Sequence, residues 1–475
     1  MEGIIIFDLK VGWYTKQMHK SVLELIGKTP VVQVKTFDTG CCQLFLKLEC
    51  QNPSGSIKDR IALSMIEQAE RKGVIRPGTT LIEATAGNTG MALALVAALK
   101  GYRLILVIPD KMTQEKVRQV RALGAEVVIT RSDVGKGHPE YYQDVAERIA
   151  RETDNCWYVN QFANDANPKG HEETTGPEIL DQLEGDVDAV VCGVGSGGTI
   201  TGLGRFFRRE SPKTELVLAD PVGSILDHYV KTGEVLQEAG SWHVEGSGED
   251  FIPEVADLSY VTSSYSISDK ESFQTARQLL LQEGLCGGSS TGLLLAAALK
   301  YCQEQTEPKR VLTFVCDTGS RYLSKIFDDT WMLDQGLLSA TQHGDLRDLI
   351  GMKTPVTVTP SEGLLTAYSR MRAHGISQLP VFSEGELVGI IDEWDLLHAV
   401  EESSGDFSRK VREVMISEVQ TLNHTDSVEK VLDLLNRDLV PLVMKGGEYA
   451  GMITRIDYLN YLRKRADSIG SLPAS

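Results

Sequence analysis

A lysine near the start of the chain stands where amine chemistry could be done. Lys58 follows the small-residue loop 52–56 (NPSGS) and precedes an amphipathic pattern over residues 61–70, so its amine is predicted to lie at a helix start. Small side chains let a flat cofactor approach the backbone, and an amine fixed beside it can form an imine with an aldehyde and later act as a base. A solvated lysine in the first turn of a helix explains this segment equally well.

Two further loops each lie between an apolar run and a helical pattern. Residues 83–90 (EATAGNTG) offer hydroxyls, an amide and a helix N-terminus, which suit a carboxylate ligand or a simple helix cap. Residues 193–199 (GVGSGGT) offer clustered N–H groups at a helix start, which suit a phosphate. The second loop also matches GxGxxG, with Asp220 closing the next strand. A nicotinamide or flavin enzyme and a tight structural turn are therefore competing interpretations.

The elements that must position these loops are short apolar strands. They occupy residues 104–109, 126–129, 189–193, 215–220 and 311–315, with helical patterns between them. Continuous apolar strands separated by helices indicate parallel sheets covered on both faces, so the fold class predicted for residues 1–338 is α/β. Thr318 follows the last strand, where a hydroxyl could bond a ring nitrogen or cap a helix.

The C-terminal part of the chain is an internal repeat. At 475 residues the chain is too long for one core, and the periodic pattern weakens over a predicted linker at residues 339–345. The following module, residues 346–475, contains two similar units at 346–402 and 411–466, each predicted to be a β-hairpin and a helix. Two such units should pack face to face and bury what neither could bury alone.

Composition and charge argue against several classes of function. A formal net charge of -18 opposes nucleic acid or an anionic membrane as a partner, and no apolar run approaches the roughly 20 residues that span a bilayer. The start of the chain does not resemble a signal peptide. The eight cysteines form no C-x-x-C pair, so neither disulfides nor a metal site is expected, and a cytoplasmic location fits best.

Taken in order, the four segments resemble the pyridoxal-phosphate enzymes of fold type II, in the family of cysteine synthases and cystathionine β-synthases. The resemblance covers about residues 21–338, and residues 25–30 (LIGKTP) are similar to the segment that opens the family's catalytic domain. It implies a catalytic core of two parallel-sheet subdomains, followed by an α+β module of paired CBS repeats. Four motifs in register are more specific than one, and they displace the nicotinamide interpretation.

The resemblance implies roles for individual residues. Lys58 would carry pyridoxal 5'-phosphate as an imine and act as the catalytic base, while Asn88 would bond the 3'-oxygen of the ring. Thr318 would meet the pyridine nitrogen. Because a neutral hydroxyl cannot hold that nitrogen protonated, β-elimination is favoured over transamination. The phosphate would be held by Gly195, Ser196, Gly197, Gly198 and Thr199. The amino-acid substrate would be held by Thr85, Ala86, Thr89, Gln161, Gly246 and Glu249.

The implied reaction is a β-replacement. Lys58 removes the Cα proton of L-serine, or of an activated serine such as O-acetylserine, and the β-substituent leaves. The thiol of L-homocysteine then adds and gives L-cystathionine, as in transsulfuration. Hydrogen sulfide production from cysteine and homocysteine, and cysteine synthesis from O-acetylserine and sulfide, are alternatives. Glu249 and Phe162 replace tyrosines of animal relatives, and residues 319–324 resemble cysteine synthase, so the leaving group stays open.

The paired repeats favour the cystathionine β-synthases within this family. In the second repeat, the resemblance implies that the hydroxyl of Thr454 binds a phosphate of an adenosyl ligand and that the carboxylate of Asp457 binds its ribose. In the first repeat Asp392, beside Asp395, takes the place of the hydroxyl and would repel a phosphate, so a single site is expected. A dimerisation module without a ligand is the alternative. The resemblance also implies a homodimer or higher homo-oligomer.

Two other interpretations have little support in the sequence. No haem is predicted, because only about twenty residues precede the LIGKTP segment, and a lone His19 with the adjacent Cys41 and Cys42 is a weak signal. A regulatory binding protein with vestigial catalysis is opposed by the intact Lys58.

Overall fold

The computed structural model describes residues 18–85, 87–110, 114–135, 137–338, 343–350 and 356–470. The chain divides into two compact units between Phe327 and Asp328, so helix Asp329–Asp334 belongs to the second unit, whereas the sequence analysis placed the division after residue 338. Five stretches that entered the sequence analysis lie outside the described residues: 1–17, 86, 339–342, 351–355 and 471–475. No described helix is both long enough and apolar enough to cross a membrane.

The strands of the first unit form two sheets. In chain order they are β1 (Val31–Gln33), β2 (Gln43–Lys47), β3 (Thr80–Ala84), β4 (Arg103–Pro109), β5 (Glu126–Thr130), β6 (Cys156–Tyr158), β7 (Ala189–Gly193), β8 (Glu215–Pro221), β9 (Val261–Ile267) and β10 (Arg310–Phe314). The six-stranded sheet has the order β1-β2-β10-β7-β8-β9, and the four-stranded sheet has the order β5-β4-β3-β6. The pairings are parallel except for β1 with β2, which confirms the predicted α/β fold with two parallel-sheet subdomains.

Helices connect these strands. They are α1 (Lys58–Arg71), α2 (Asn88–Lys100), α3 (Gln114–Ala122), α4 (Tyr142–Glu152), α5 (Ala166–Gly170), α6 (Gly176–Gln182), α7 (Gly198–Glu210), α8 (Leu226–Thr232), α9 (Asp269–Glu283) and α10 (Ser289–Gln303). A π-helical turn, His171–Thr175, joins α5 directly to α6. A short 3-10 helix, Gly319–Tyr322, follows β10.

The four-stranded sheet shows why its strands are continuously apolar. Leu81 of β3 packs in a cluster with Ile61 and Met65 of α1, whereas its neighbour Ile82 packs on the opposite face with Val145 of α4. Both strand residues are fully buried, and burying a side chain of this size stabilises the fold by about 1.5–3 kcal/mol. Coverage on both faces buries successive side chains of a strand, and this explains the continuous apolar runs that predicted strands such as β4.

The second unit contains the repeat. Its elements are α11 (Asp329–Asp334), α12 (Leu364–His374), β11 (Gln378–Ser383), β12 (Glu386–Asp392), α13 (Glu393–Glu402), β13 (Thr421–Asn423), α14 (Glu429–Leu435), β14 (Leu442–Lys445), β15 (Glu448–Met452) and α15 (Arg455–Gly470). Strands β11 and β12 pair antiparallel, as do β14 and β15, while β13 lies parallel to β14. The predicted hairpin-and-helix repeat is thus confirmed as an α+β unit.

The two hairpins share their turn chemistry. Each closes through two residues with positive φ, Glu384 and Gly385 in the first and Gly446 and Gly447 in the second, the conformation whose twist matches a hairpin. The halves also exchange residues. Leu346 and its neighbours precede the first hairpin, yet they pack in the core of the second half.

Candidate active site

The loop that carries Lys58 is attached to the segment after β10. The N–H of Ile57 donates to the carbonyl of Cys316 at 2.8 Å, and the N–H of Thr318 donates to the carbonyl of Gly55 at 3.0 Å. Gly55 has φ +83°, and a Cβ there would lie 3.1 Å from the Thr318 side chain, so a glycine is needed at this approach. Helix α1 begins at Lys58, as predicted, and these bonds place its start beside Thr318.

The amine of Lys58 lies in a setting that favours its neutral form. Burial lowers the pKa of Lys58, while Cys316, Asp317 and Glu249 act in the opposite direction. A lysine with a lowered pKa has a larger neutral fraction near pH 7, and only the neutral amine can attack a carbonyl or accept a proton.

A largely buried cluster of charged side chains lies next to the loop that carries Lys58. Arg60 Nε lies 2.7 Å from Glu49 Oε2, and Arg60 Nη2 lies 2.7 Å from Glu178 Oε2, which Lys47 Nζ also approaches at 2.9 Å. Burial opposes the charge of Glu178, but Arg60 and Lys47 bring its pKa down to about 2. Two cations and two anions compensate each other, and together they join β2, α1 and α6.

The glycine loop at the end of β7 is held by close main-chain contacts. Helix α7 begins at Gly198 after Gly197, which has φ +86°. A Cβ at Gly195 would lie 2.7 Å from the carbonyl oxygen of Gly246, and one at Gly198 would lie 1.7 Å from Asn167 Oδ1. These glycines let the loop pack against its neighbours while the first N–H groups of α7 stay without helical partners.

The loops that bring Lys58, Thr318 and Gly195 to the site lie at one edge of the six-stranded sheet. Strands β2, β10 and β7 are adjacent and parallel, so their carboxyl ends meet, and ligands of α/β proteins bind at such edges. The sequence predicts that these three loops lie together. What each of their residues binds stays a prediction.

Asn88 connects this edge to the four-stranded sheet. Its Nδ2 donates to Asp317 Oδ2 at 2.8 Å, and the hydroxyl of Tyr322 donates to the same oxygen at 2.7 Å. Arg321 donates to Asn88 Oδ1. An amide nitrogen carries two protons, so the bond to Asp317 leaves one for another acceptor, such as the 3'-oxygen of a ring.

Thr318 caps the 3-10 helix that follows it. Its Oγ1 accepts from the N–H of Ser320 at 3.3 Å and lies 2.9 Å from Ser320 Oγ. The cap that the sequence left open is therefore present. An oxygen that accepts still has a proton to donate, so a bond to a ring nitrogen is compatible with the cap.

The predicted substrate residues of the second loop lie together. Thr89 Oγ1 donates to Gln161 Oε1 at 2.7 Å, and Thr85 Oγ1 accepts from the N–H of Gly87 at 3.3 Å. Thr85, Thr89 and Gln161 are buried at the start of α2, where a carboxylate is favoured by the helix N-terminus. The predicted Ala86 lies outside the described residues.

The loop with Gly246 and Glu249 packs against the glycine loop at the end of β7. The N–H of Gly248 donates to the carbonyl of Val194 at 2.8 Å, and the N–H of Glu249 bonds Ser224 Oγ at 3.1 Å. Burial, with Asp250 and Asp220, raises the pKa of Glu249 well above its ordinary value, and Lys58 acts in the opposite direction. Glu249 therefore presents a carboxyl group that is easily protonated.

Glu83 lies in a strand, although the sequence assigned it to the loop 83–90. Strand β3 continues through Ala84 and buries Glu83 completely. Burial raises its pKa to about 8, and the N–H groups of Gln161 and Asn160 offset this only in part. In the sequence, a single charged residue after an apolar run suggests that the strand has ended. The burial of Glu83 becomes visible only when the neighbouring strands are in place.

The residues present fit pyridoxal phosphate. Its aldehyde requires an amine, its phosphate requires N–H groups and hydroxyls on a glycine backbone, and its ring requires polar partners at the oxygen and nitrogen. Lys58, the start of α7, Asn88 and Thr318 offer these groups at one edge. No group of three or more metal-ligating side chains occurs within the described part of the chain, and the eight cysteines are free.

Comparison with known proteins agrees with this chemistry. A family model described as pyridoxal-phosphate dependent enzyme matches residues 22–317, and a CBS domain model matches residues 346–402 and 411–464. The chain is therefore a pyridoxal-phosphate-dependent enzyme of fold type II, a lyase with paired CBS domains.

The relatives define the family more narrowly. Cystathionine beta-synthase of Oryctolagus cuniculus is 37% identical over 470 residues, which cover 94% of this chain and 85% of that protein. Cysteine synthase 1 of Neurospora crassa is 38% identical over 327 residues, 68% of this chain and 86% of that protein. A hydrogen sulfide-producing enzyme from Fusobacterium nucleatum has a TM-score of 0.60 and 36% identity, over 64% of this chain and 100% of that one. The chain belongs to the cystathionine β-synthase family, and pyridoxal phosphate is its cofactor.

The two CBS repeats place their contrasting residues at equivalent helix starts. Before α15, the N–H and the hydroxyl of Thr454 donate to Asp457 Oδ2, at 2.8 and 2.5 Å. Before α13, Asp392 and Asp395 each accept from the N–H of the other, at 2.8 and 3.0 Å. The hydroxyl of one repeat is thus matched by a carboxylate in the other.

Proposed function

We propose that this enzyme condenses L-serine, or an activated serine such as O-acetylserine, with L-homocysteine to form L-cystathionine. The observation that carries the proposal is the meeting of Lys58, Thr318 and the glycine loop at the edge where Asn88 joins the two sheets. Similarity to cystathionine β-synthases over nearly the whole chain, CBS repeats included, supports homocysteine as the thiol.

Lys58 carries the central proton transfers. Bound pyridoxal phosphate supplies an electron-accepting ring that stabilises negative charge at the substrate Cα. The neutral amine of Lys58 takes the Cα proton, and the bond from Cβ to its oxygen substituent breaks. The homocysteine sulfur bonds to Cβ as its S–H bond breaks, and the thiol proton leaves with the oxygen substituent as water, or as acetic acid from O-acetylserine. Lys58 then returns the proton to Cα.

The other residues bind and orient. Residues 195–199 hold the phosphate, while Asn88 and Thr318 meet the ring oxygen and nitrogen. Thr85, Thr89 and Gln161 hold the substrate carboxylate at the start of α2, with Gly246 and Glu249 at the mouth of the site. The proposal includes a homodimer or higher homo-oligomer, a cytoplasmic location and no haem.

The alternative is cysteine synthesis from O-acetylserine and sulfide. It is supported by the similarity of the catalytic unit to cysteine synthase 1, whose match covers only 68% of this chain. The experiment is steady-state turnover of the full-length enzyme with serine and with O-acetylserine, each against homocysteine and sulfide. A higher kcat/KM for homocysteine is expected, and a preference for sulfide would overturn the assignment. Adding cysteine with homocysteine in the same series measures hydrogen sulfide production.

We further propose an adenosyl ligand at the second CBS repeat only. Thr454 would bond a phosphate and Asp457 a ribose, whereas Asp392 would repel a phosphate at the equivalent place. Calorimetry with ATP tests this, with Asp457→Asn expected to lose binding and Asp392→Asn to retain it. Equal binding by both variants would oppose the role of Asp457, and no binding of ATP by the unchanged enzyme would instead support a dimerisation module without a ligand.

A further inference from the structure

Two buried residues one helical turn apart contact the phosphate loop from outside it. Asn167 in α5 and His171 at the start of the π-helical turn are 0% and 1% exposed. Helix α7 packs closely on this segment, because a Cβ on Gly202 would lie 2.2 Å from the carbonyl oxygen of Pro168 and 2.7 Å from His171 Cβ. The pair therefore faces the beginning of α7 at main-chain contact distance.

Asn167 donates a hydrogen bond to the hydroxyl of Ser196 in the loop. Its Nδ2 lies 2.8 Å from the carbonyl oxygen of Gln161 and 3.0 Å from Ser196 Oγ. The carbonyl oxygen can only accept, which fixes Nδ2 on that side of the amide. Ser196 Oγ must then accept from Asn167, and its own proton is left for a ligand.

His171 contacts the hydroxyl of Thr199 as Asn167 contacts that of Ser196. Its Nδ1 lies 2.8 Å from Thr175 Oγ1, and its Nε2 lies 3.2 Å from Thr199 Oγ1. Burial, with Arg60 and Lys58, lowers the pKa of His171 well below its ordinary value, so the ring is neutral and carries one proton. If Thr175 donates to Nδ1, that proton is on Nε2 and is donated to Thr199. An anion at the loop favours this tautomer, because Thr199 then accepts from His171 and can donate its own proton to the anion.

We propose that Asn167 and His171 are positioning residues that direct the hydroxyl protons of Ser196 and Thr199 toward the phosphate of the cofactor. This rests on the proposed assignment of residues 195–199 to the phosphate and extends it to the helical segment that packs against them. The phosphate site then has two layers: N–H groups and hydroxyls that touch the ligand, and an amide and an imidazole that orient the hydroxyls.

The test compares two ligands that differ only in the phosphate. Dissociation constants of the full-length enzyme are measured for pyridoxal phosphate and for pyridoxal, with Asn167→Asp, which replaces the donor by an acceptor, and with His171→Asn, which removes the donor at the Nε2 position. Each variant is expected to lose about tenfold or more in affinity for pyridoxal phosphate and to keep its affinity for pyridoxal within about twofold. His171→Gln, whose amide nitrogen can occupy the Nε2 position, is the matched control and should retain selectivity. Equal losses for both ligands, or no loss, would overturn the proposal.

Substitutions of Ser196 and Thr199 test separately whether residues 195–199 bind the phosphate at all. If Ser196→Ala and Thr199→Val leave the preference for the phosphate unchanged, the proposed phosphate site itself is wrong. If they reduce it and Asn167→Asp and His171→Asn do not, only the positioning role fails. A double-mutant cycle should show that His171→Asn adds little to Thr199→Val, since both act on one bond. The phosphorus NMR shift of bound cofactor is a second readout that needs no affinity measurement: we expect it to be displaced in His171→Asn and restored in His171→Gln, and the same shift in both variants and in the unchanged enzyme would oppose the role.

Discussion

Asn88 Nδ2 and Asp317 Oδ2 lie 2.8 Å apart and join the two sheets of the catalytic unit across 229 residues of sequence. Tyr322 donates to the same carboxylate oxygen at 2.7 Å, while burial raises the pKa of Asp317. The carboxylate thus depends on two donors, one from each side of the cleft. This carboxylate links the Asn88 amide, proposed to bind the cofactor ring, to the segment that contains Thr318.

Removing the Tyr322 donor should destabilise the catalytic unit. Tyr322→Phe leaves a fully buried carboxylate with one bond fewer, and the expected cost is about 1–3 kcal/mol in the free energy of unfolding, measured by urea denaturation. Tyr265→Phe is the matched control, because Tyr265 also donates to a carboxylate, that of Glu304, but at an exposed site. Equal effects of the two substitutions would contradict this account.

Lys58 should be required for turnover and not for folding. Lys58→Ala and Lys58→Arg both remove the neutral amine, so kcat is expected to fall by about 10²–10⁴-fold or more, while the far-ultraviolet circular dichroism is retained. The absorbance band of the lysine-bound cofactor should disappear as well. Lys72→Ala, at the exposed end of α1, is the control and should keep full activity. Substantial turnover by Lys58→Arg would exclude the proton-transfer role.

Replacing Glu83 by glutamine should stabilise the protein as the pH rises. The folded pKa of Glu83 is about 8 against an ordinary value of 4.5, so the folded state retains a proton that the unfolded state loses. Stability therefore falls from about pH 4.5 to about pH 8, and Glu83→Gln removes this loss. The advantage of the variant should be small near pH 4.5 and on the order of 3 kcal/mol near pH 8, by urea unfolding at both pH values. Exposed Glu152→Gln should show no such trend, and a constant difference for Glu83→Gln would disprove the burial effect.

Breaking the buried charge cluster should cost far more than breaking a surface pair. Arg60→Met leaves Glu49 buried without its partner, and the expected loss is about 3–5 kcal/mol in the free energy of unfolding. Arg103→Met breaks a pair with Glu126 that is more than half exposed on both sides, so solvent screening makes the expected loss far smaller. If urea denaturation gives similar values for the two variants, the cluster contributes no more than a surface pair.

The sequence was sufficient for elements whose pattern is local. Strands 104–109 and 189–193 were predicted within one residue because a strand covered on both faces is apolar throughout, and Lys58 was placed at a helix start. Contacts between distant segments were not predictable in this way. Nothing local connects Asn88 to Asp317, and Glu83 resembled the end of a strand because its enclosure is produced by β4 and β6.

The glycine loop 193–199 was evident in the sequence, but the residues that pack against it were not. Asn167 and His171 lie around Pro168 and Gly170, residues that usually end helices, so the segment resembled a loop. A π-helical turn has no recognised sequence signature, and only the packing of α7 shows why these side chains matter.

The ion pair between Arg60 and Glu178 also bears on how the enzyme is made. The partners are 118 residues apart, and Lys47 and Glu178 are further apart still. During synthesis α6 leaves the ribosome long after Lys58 and its loop, so Arg60 can pair with Glu49 early, whereas Lys47 and Arg60 lack the Glu178 carboxylate until residue 178 has been made. The charge cluster next to the Lys58 loop is therefore completed by a segment that is synthesised late, and the setting of the lysine depends on that segment.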